Sequence, residues 1–170
     1  FNHADEVELW VNEVSQGIRT KREGQFHAMW RVTYQPGEVR VVSRSNGQEV
    51  ATKTIRTAGK PAQIRLTPDR STIQADGRDL SFVTVEIVDE QGNLCPLADD
   101  LVTFHIDGNA FIAGVDNGSP YSMERFKSNQ RKAFYGKCLV VLQNNGTRGA
   151  STLTATSANL TSAQATIIAE

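Results

Sequence analysis

Residues 58–93 read AGKPAQIRLTPDRSTIQADGRDLSFVTVEIVDEQGN, and the fold class is decided there. Gly59-Lys60-Pro61 makes a joint, because Gly tolerates backbone angles other residues resist and Pro cannot donate to a ladder. Beyond it Ala62, Ile64 and Leu66 alternate with Gln63, Arg65 and Thr67, the period of two expected of a half-buried strand. Pro68-Asp69-Arg70 breaks that strand, and Asp76-Gly77 marks a tight reversal. In Val83, Val85 and Ile87 one face is wholly β-branched, which suits a pleated sheet better than a helix. Asp89 to Asn93 then closes the stretch as a turn.

Upstream, Val7, Leu9 and Val11 share one face of a strand whose other face carries Glu6, Glu8 and Trp10. A Trp on a polar face is expected to be a contact covered by a neighbouring domain rather than an open ligand platform. Residues 17–25 are polar and basic and read as a loop or a weak edge strand. Phe26, Ala28, Trp30, Val32 and Tyr34 alternate with polar neighbours and predict a second strand. Gln35-Pro36-Gly37-Glu38 has the order of a type II turn, and Asn46-Gly47 between residues 39–45 and 48–57 is a strong hairpin signal. Residues 1–59 are thus expected to be a meander of short antiparallel strands, incomplete at its N-terminus.

Downstream, further strands are predicted over 101–106, with Val102, Phe104 and Ile106 on one face, and over 111–115, 134–143, 150–157 and 163–168. The third of these runs, 134–143, is apolar on both faces near its centre, as a covered middle strand would be. Strands at this spacing, with turn residues between them and no helical period, predict an all-β chain of two immunoglobulin-like β-sandwich units. The expected domains are 1–59 and 60–170. One connection departs from this economy: Asp116 to Lys132, DNGSPYSMERFKSNQRK, is longer and more polar than a sandwich needs between strands.

Composition narrows the function. Among 170 residues, 18 Lys and Arg face 19 Asp and Glu, so no long-range field draws the chain to nucleic acid or an anionic membrane. No apolar run reaches the roughly 20 residues of a membrane helix. Two cysteines, Cys95 and Cys138, make no disulfide framework and no zinc spacing, though a single bridge between them stays open. Cys138 lies in GKCLVVL and is expected to pack as a small hydrophobe.

Chemistry-bearing patterns are sparse. Asp99 and Asp100 are adjacent, so in an extended segment they point apart rather than facing one another across a sugar. His3, His27 and His105 are scattered, with no strand-to-helix elbow to present a nucleophile. Asp89, Asn93, Asp107, Asn109, Asp116 and Asn117 offer oxygens without the spacing of a calcium loop, and such residues in turns usually bond their own backbone. Arg125, Lys127, Arg131, Lys132 and Lys137 interleave with Phe126, Phe134 and Tyr135 in a manner used to bind single strands. The neutral total charge favours instead a loop docked on an acidic surface of its own protein. Three glycosylation triplets, at Asn117, Asn145 and Asn159, fit turns equally well. No catalytic residue, metal ligand or cofactor site is expected.

Several long runs carry a resemblance: VELWVN at residues 7–12, VTYQPGEVRVV at 32–42, residues 49–93, LVTFHIDG, AGVDNGSPYSMERFKSNQRKAFYGKCLVVLQ and TLTATSANL. The chain resembles the C-terminal, non-catalytic region of Bacteroides-type glycoside hydrolase family two β-galactosidases. That resemblance implies the end of a small β domain followed by a bacterial immunoglobulin-like domain. It also implies catalytic acids on an upstream barrel absent from this chain, and a periplasmic or extracellular location. The partners it implies are the upstream catalytic domains of the same polypeptide. Relatives read Asn-Gly-Lys-Ser-Leu-Gly at the first turn; here Asn12-Glu13 replaces Asn-Gly, and Glu13 is expected to resist the positive φ of a two-residue hairpin.

On this reading the chain is an accessory module, and its contact surface is expected at Trp10, Asp116, Asn117, Tyr121 and Glu124, with Arg125, Phe126, Arg131 and Lys132. The alternative is a carbohydrate-binding module with Trp10, Trp30 and Tyr121 as platform, although Trp30 reads better as core.

Overall fold

A computed structural model describes residues 4–20, 24–25 and 27–170. The chain divides into two compact units, Phe1–Thr57 and Ala58–Glu170. All regular structure among the described residues is β.

The first unit is one antiparallel sheet of β1 (Glu6–Val11), β2 (Val14–Thr20), β3 (Glu38–Ser45) and β4 (Gln48–Arg56) in the order β2-β1-β3-β4. The expected meander is corrected, because β3 pairs beside β1 and not beside β2. Cross-strand rows repeat the alternation of the sequence: Val11 stands between Val14 and Val39, and Val39 faces Ile55. The opposite face carries Glu8, Arg44 and Trp10. Ser15 donates to the Glu8 carboxylate at 2.6 Å and Arg44 at 2.9 Å, and these bonds hold Glu8 below the usual carboxylate range.

Two expectations fail in this unit. The hairpin at Asn12-Glu13 forms with both residues at positive φ, 47° and 66°. Asn12 makes this tolerable: its Nδ2 donates to Pro36 O at 3.0 Å and its Oδ1 accepts the Glu38 N–H at 2.8 Å. The strand predicted from Phe26 is also absent: Phe26 lies outside the described residues, and 27–35 form no ladder. Alternation creates a strand only where a neighbouring backbone accepts its hydrogen bonds, and among the described residues none pairs with 27–35 as a ladder. Met29, Val32 and Tyr34 are exposed. Trp30 is half-buried and donates to Gly17 O at 3.1 Å, outside any core.

The second unit is a sandwich. One sheet contains β5 (Gln63–Pro68), β7 (Leu80–Val88), β11 (Lys137–Asn144) and β9 (Ala110–Asp116) in that order. The other runs β10 (Gln130–Lys132), β8 (Leu101–Gly108), β12 (Gly149–Thr156), β13 (Ala163–Ala169) and β6 (Thr72–Ile73). Only the β13–β6 pair is parallel.

Between the sheets Val83, Val85 and Ile87 meet Cys138, Val140 and Leu142 from one side, and Val102, Phe104, Leu153 and Ile167 from the other. As expected, β11 is the covered middle strand, with Leu139 and Val141 half-buried on its outer face. Both cysteines are free and buried, and burial pushes the Cys138 thiol up to about 12.

Asp89 closes the β7 turn from within. Its carboxylate is 1% exposed and accepts the Gly59 N–H at 2.7 Å, the Asn93 side-chain amide at 3.0 Å, and the backbone N–H groups of Asn93 and Gln91. Stabilised by these donors, Gly59 first, it titrates at about 2. The joint at Gly59 is thereby tied into the second unit.

Candidate functional site

The long segment between β9 and β11 is built around one buried cation. Arg131, on β10, is 1% exposed. Its Nη2 donates to Val115 O at 2.7 Å and Arg125 O at 3.1 Å; its Nη1 reaches Ser122 Oγ at 3.3 Å and Glu124 O at 3.4 Å. Glu124 Oε2 stands 3.7 Å from Nη1, and the Phe126 ring centroid lies 5.4 Å from Cζ. The planar fork of the guanidinium, with five N–H donors, spreads its hydrogen bonds over oxygens on both sides; the Nε is left without a partner.

Around this hub the loop closes on itself. Val115 N–H donates to Phe126 O at 2.8 Å, Lys132 N–H to Glu124 Oε1 at 3.1 Å, and Phe104 N–H to Asn129 O at 2.7 Å. Asn117 Nδ2 donates to Lys132 O at 2.9 Å, while Asp116 Oδ1 accepts the Asn117 and Gly118 N–H groups. The segment thus folds over the outer edge of β9 and satisfies an edge that would otherwise invite another strand.

Of the expected contact residues, Asp116, Asn117, Glu124 and Arg131 spend their polar atoms inside the loop. Tyr121, Arg125, Phe126 and Lys132 face outward. Trp10 is elsewhere, half-buried on β1, with the Arg40 guanidinium 5.2 Å from its ring centroid and its indole N–H shielded without an acceptor. That ring presents no open platform.

Sequence reasoning missed Leu97 and Met123 and named Tyr135 only among the aromatics of the basic run; all three are exposed. Tyr135 and Gly136 form a two-residue turn between Phe134 and Lys137, with φ of 50° and 75°. The Tyr-Gly dipeptide was the available signal. A Cβ at Gly136 would sit 2.3 Å from Cys95 O, so only Gly fits.

Among the described residues no three His, Cys, Asp or Glu side chains gather as a metal site. Asp99 is exposed and Asp100 half-buried on the connection before β8, and His105 pairs with Asp107 at 3.1 Å on the exposed face of β8. His3 lies outside the described residues, and His27 is exposed on the non-strand stretch. These groups converge on no common point.

The family follows from comparison. A model described as Glycoside hydrolase family 2 C-terminal domain 5 matches residues 64–166, which are the sandwich and its loop. The chain belongs to that family. A second model, a domain of unknown function (DUF4982), matches residues 1–51.

A β-galactosidase of Bacteroides ovatus, BoGH2A, is 62% identical over all 170 residues, yet the chain spans only 20% of its length. A glycosyl hydrolase family 2 member from Bacteroides cellulosilyticus superposes with TM-score 0.86 at 39% identity, covering 98% of this chain and 22% of that one. A β-glycosidase from Bacteroides vulgatus gives 0.90 at 31%, covering 97% and 21%. The glycoside hydrolase family 2 C-terminal domain is thus all-β here, as expected of the resemblance.

Proposed function

We propose that this family 2 C-terminal module is a non-catalytic accessory part of a periplasmic or extracellular β-galactosidase-like hydrolase, and that it packs against the catalytic domains of the same polypeptide or against a subunit partner. One observation carries the reading: the chain as a whole matches about a fifth of a β-galactosidase, while several of its acids are spent on turns and ion pairs. Asp89, Asp76 and Asp79 bind backbone N–H groups, and Glu86 bridges Arg65 and Lys137 at 2.8 and 2.9 Å. Glycoside hydrolysis needs two carboxyl groups facing a common sugar, whereas Asp76 and Asp79 are turned to the backbone N–H groups of their own turn.

The carbohydrate-binding alternative rests on exposed aromatics. Arg40 over Trp10 and the position of Trp30 weigh against it, leaving Tyr121 as its one candidate from that set. The deciding experiment is an assay of the purified chain on a chromogenic galactoside beside the Bacteroides ovatus enzyme: the chain is expected to release nothing. Saturable heat on titrating galactans into the chain would favour the alternative.

A further inference from the structure

Three segments of the second unit end in exposed apolar side chains and are hydrogen-bonded to one another. The connection 94–100 carries Leu97, the loop 117–129 carries Tyr121, Met123 and Phe126, and the turn 133–137 carries Tyr135. Gly136 N–H donates to Ala98 O at 3.0 Å and Ala133 N–H to Asp100 O at 2.9 Å, while Lys132 links to both Asn117 and Glu124. Leu97 is 92% exposed, Met123 96% and Tyr121 85%. Large apolar side chains so fully in water, carried by three segments that are hydrogen-bonded to one another, mark an interaction surface.

Two further observations say that this surface is built for docking. First, Arg131 and its carbonyl partners hold the loop before any partner arrives, which removes most of the ordering cost of binding. Second, Tyr135 sits at φ 50°, a conformation that costs a bulky residue energy and recurs where function demands it. That strain keeps an aromatic ring in solvent where Asn or Gly would serve the turn better.

The occupant is indicated by charge and by side-chain type. Arg125, Lys127 and Lys132 have no ion-pair partner among the described residues, and Glu124 is turned inward to Arg131. Asp99 and Asp100, on the first segment, leave the rim net positive. Leu and Met at the centre suit an apolar protein surface, whereas sugar stacking needs flat aromatic faces. Resting on the accessory-module reading, we infer that this surface docks on an acidic-rimmed, apolar-centred patch of the catalytic part of the same polypeptide, with Leu97, Tyr121, Met123 and Tyr135 as its anchors.

Native methionines supply the test. Peroxide oxidises exposed thioethers, and mass spectrometry follows Met123 and, as internal reference, Met29 in the 170-residue chain. The same chain then replaces the matching fifth of the Bacteroides ovatus β-galactosidase, in a fusion whose galactoside hydrolysis shows that it folds. Met123 oxidation is expected to slow about tenfold or more, the factor for a surface undocked a tenth of the time, and Leu97→Ser with Tyr121→Ser is expected to restore the fast rate.

Equal Met123 rates in chain and fusion overturn the proposal, as does protection in the chain alone that grows with its concentration, which would place a second copy there. In a second measurement the chain is titrated calorimetrically into the Bacteroides ovatus enzyme lacking that fifth; a saturable isotherm weakened about tenfold by Met123→Ser supports it. An isotherm indifferent to Met123→Ser, or none, overturns it. Galactoside hydrolysis by the chain alone would instead sink the accessory reading, so the two failures are distinct.

Discussion

Arg131 Nη2 lies 2.7 Å from the carbonyl oxygen of Val115, and that bond joins a buried charge on β10 to the strand at the far edge of the other sheet. Replacing Arg131 by Met removes the cation and strands the carbonyls of Val115 and Arg125. Leaving a buried carbonyl without its donor costs roughly 1–3 kcal/mol, so Arg131→Met is expected to unfold at lower urea and to be cleaved within 117–129 by trypsin. Arg131→Lys should recover little, because one ammonium cannot reach carbonyls on both sides. Wild-type stability in Arg131→Met would refute the role.

Glu13 is the mirror case, a residue the fold tolerates at a cost. A non-glycine residue in the left-handed region loses roughly 1–2 kcal/mol, part of which Gly returns in chain entropy. Glu13→Gly should therefore raise the stability of the first unit by roughly 1 kcal/mol. Both tryptophans, Trp10 and Trp30, belong to that unit, so intrinsic fluorescence during urea unfolding isolates it. An unchanged midpoint would mean that Asn12 and its two bonds leave no strain at Glu13.

Asp89 sets an acid limit on the second unit. Its carboxyl titrates at about 2 when folded, against 3.8 when free, so its contribution is complete above pH 3.8 and is lost as pH falls through about 2. Stability measured by denaturant titration is expected to decline across that window. Asp89→Asn should flatten the decline there while lowering stability at pH 7. An identical acid slope in Asp89→Asn would show that other groups carry it.

The two thiols should be silent in the folded chain. The reacting species is the thiolate, and burial raises both Cys95 and Cys138, the latter to about 12. A disulfide reagent at pH 8 is expected to find neither until denaturant is added, and then both. Finding none after denaturation would reveal a bridge between them.

Packing in the sandwich sets the last scale. Leu142 is fully buried between the sheets, and truncation to Ala is expected to cost about 2–5 kcal/mol; Val141→Ala, on the outer face of the same strand, should cost less than half as much. Comparable losses would mean the outer face is packed as tightly as the inner.

Most of this architecture was legible. Val83, Val85 and Ile87 announced their strand because side chains alternate across a sheet, and Asn46-Gly47 announced its hairpin because positive φ is cheap there. Residues 28–34 misled because alternation reports only which face an isolated strand would bury, not whether a neighbour exists to pair with it. Loop 116–132 was visible as an anomaly of length, but its hub was not. Arg131 looks like any other cation in a basic run, and only three dimensions show four backbone and side-chain oxygens converging on it. Leu97 and Met123 were invisible for the converse reason: exposure cannot be read from residue type.

The central claim is that the 116–132 loop is rigid within this chain alone, a preformed surface rather than one shaped by its partner. Hydrogen exchange of the isolated 170-residue chain, read at single amides by NMR, tests it most directly. The account predicts slow exchange at Phe104 and Lys132, whose N–H groups donate to Asn129 O and Glu124 Oε1, and fast exchange at both in Arg131→Met. Exchange at the unprotected rate in the wild-type chain would contradict it.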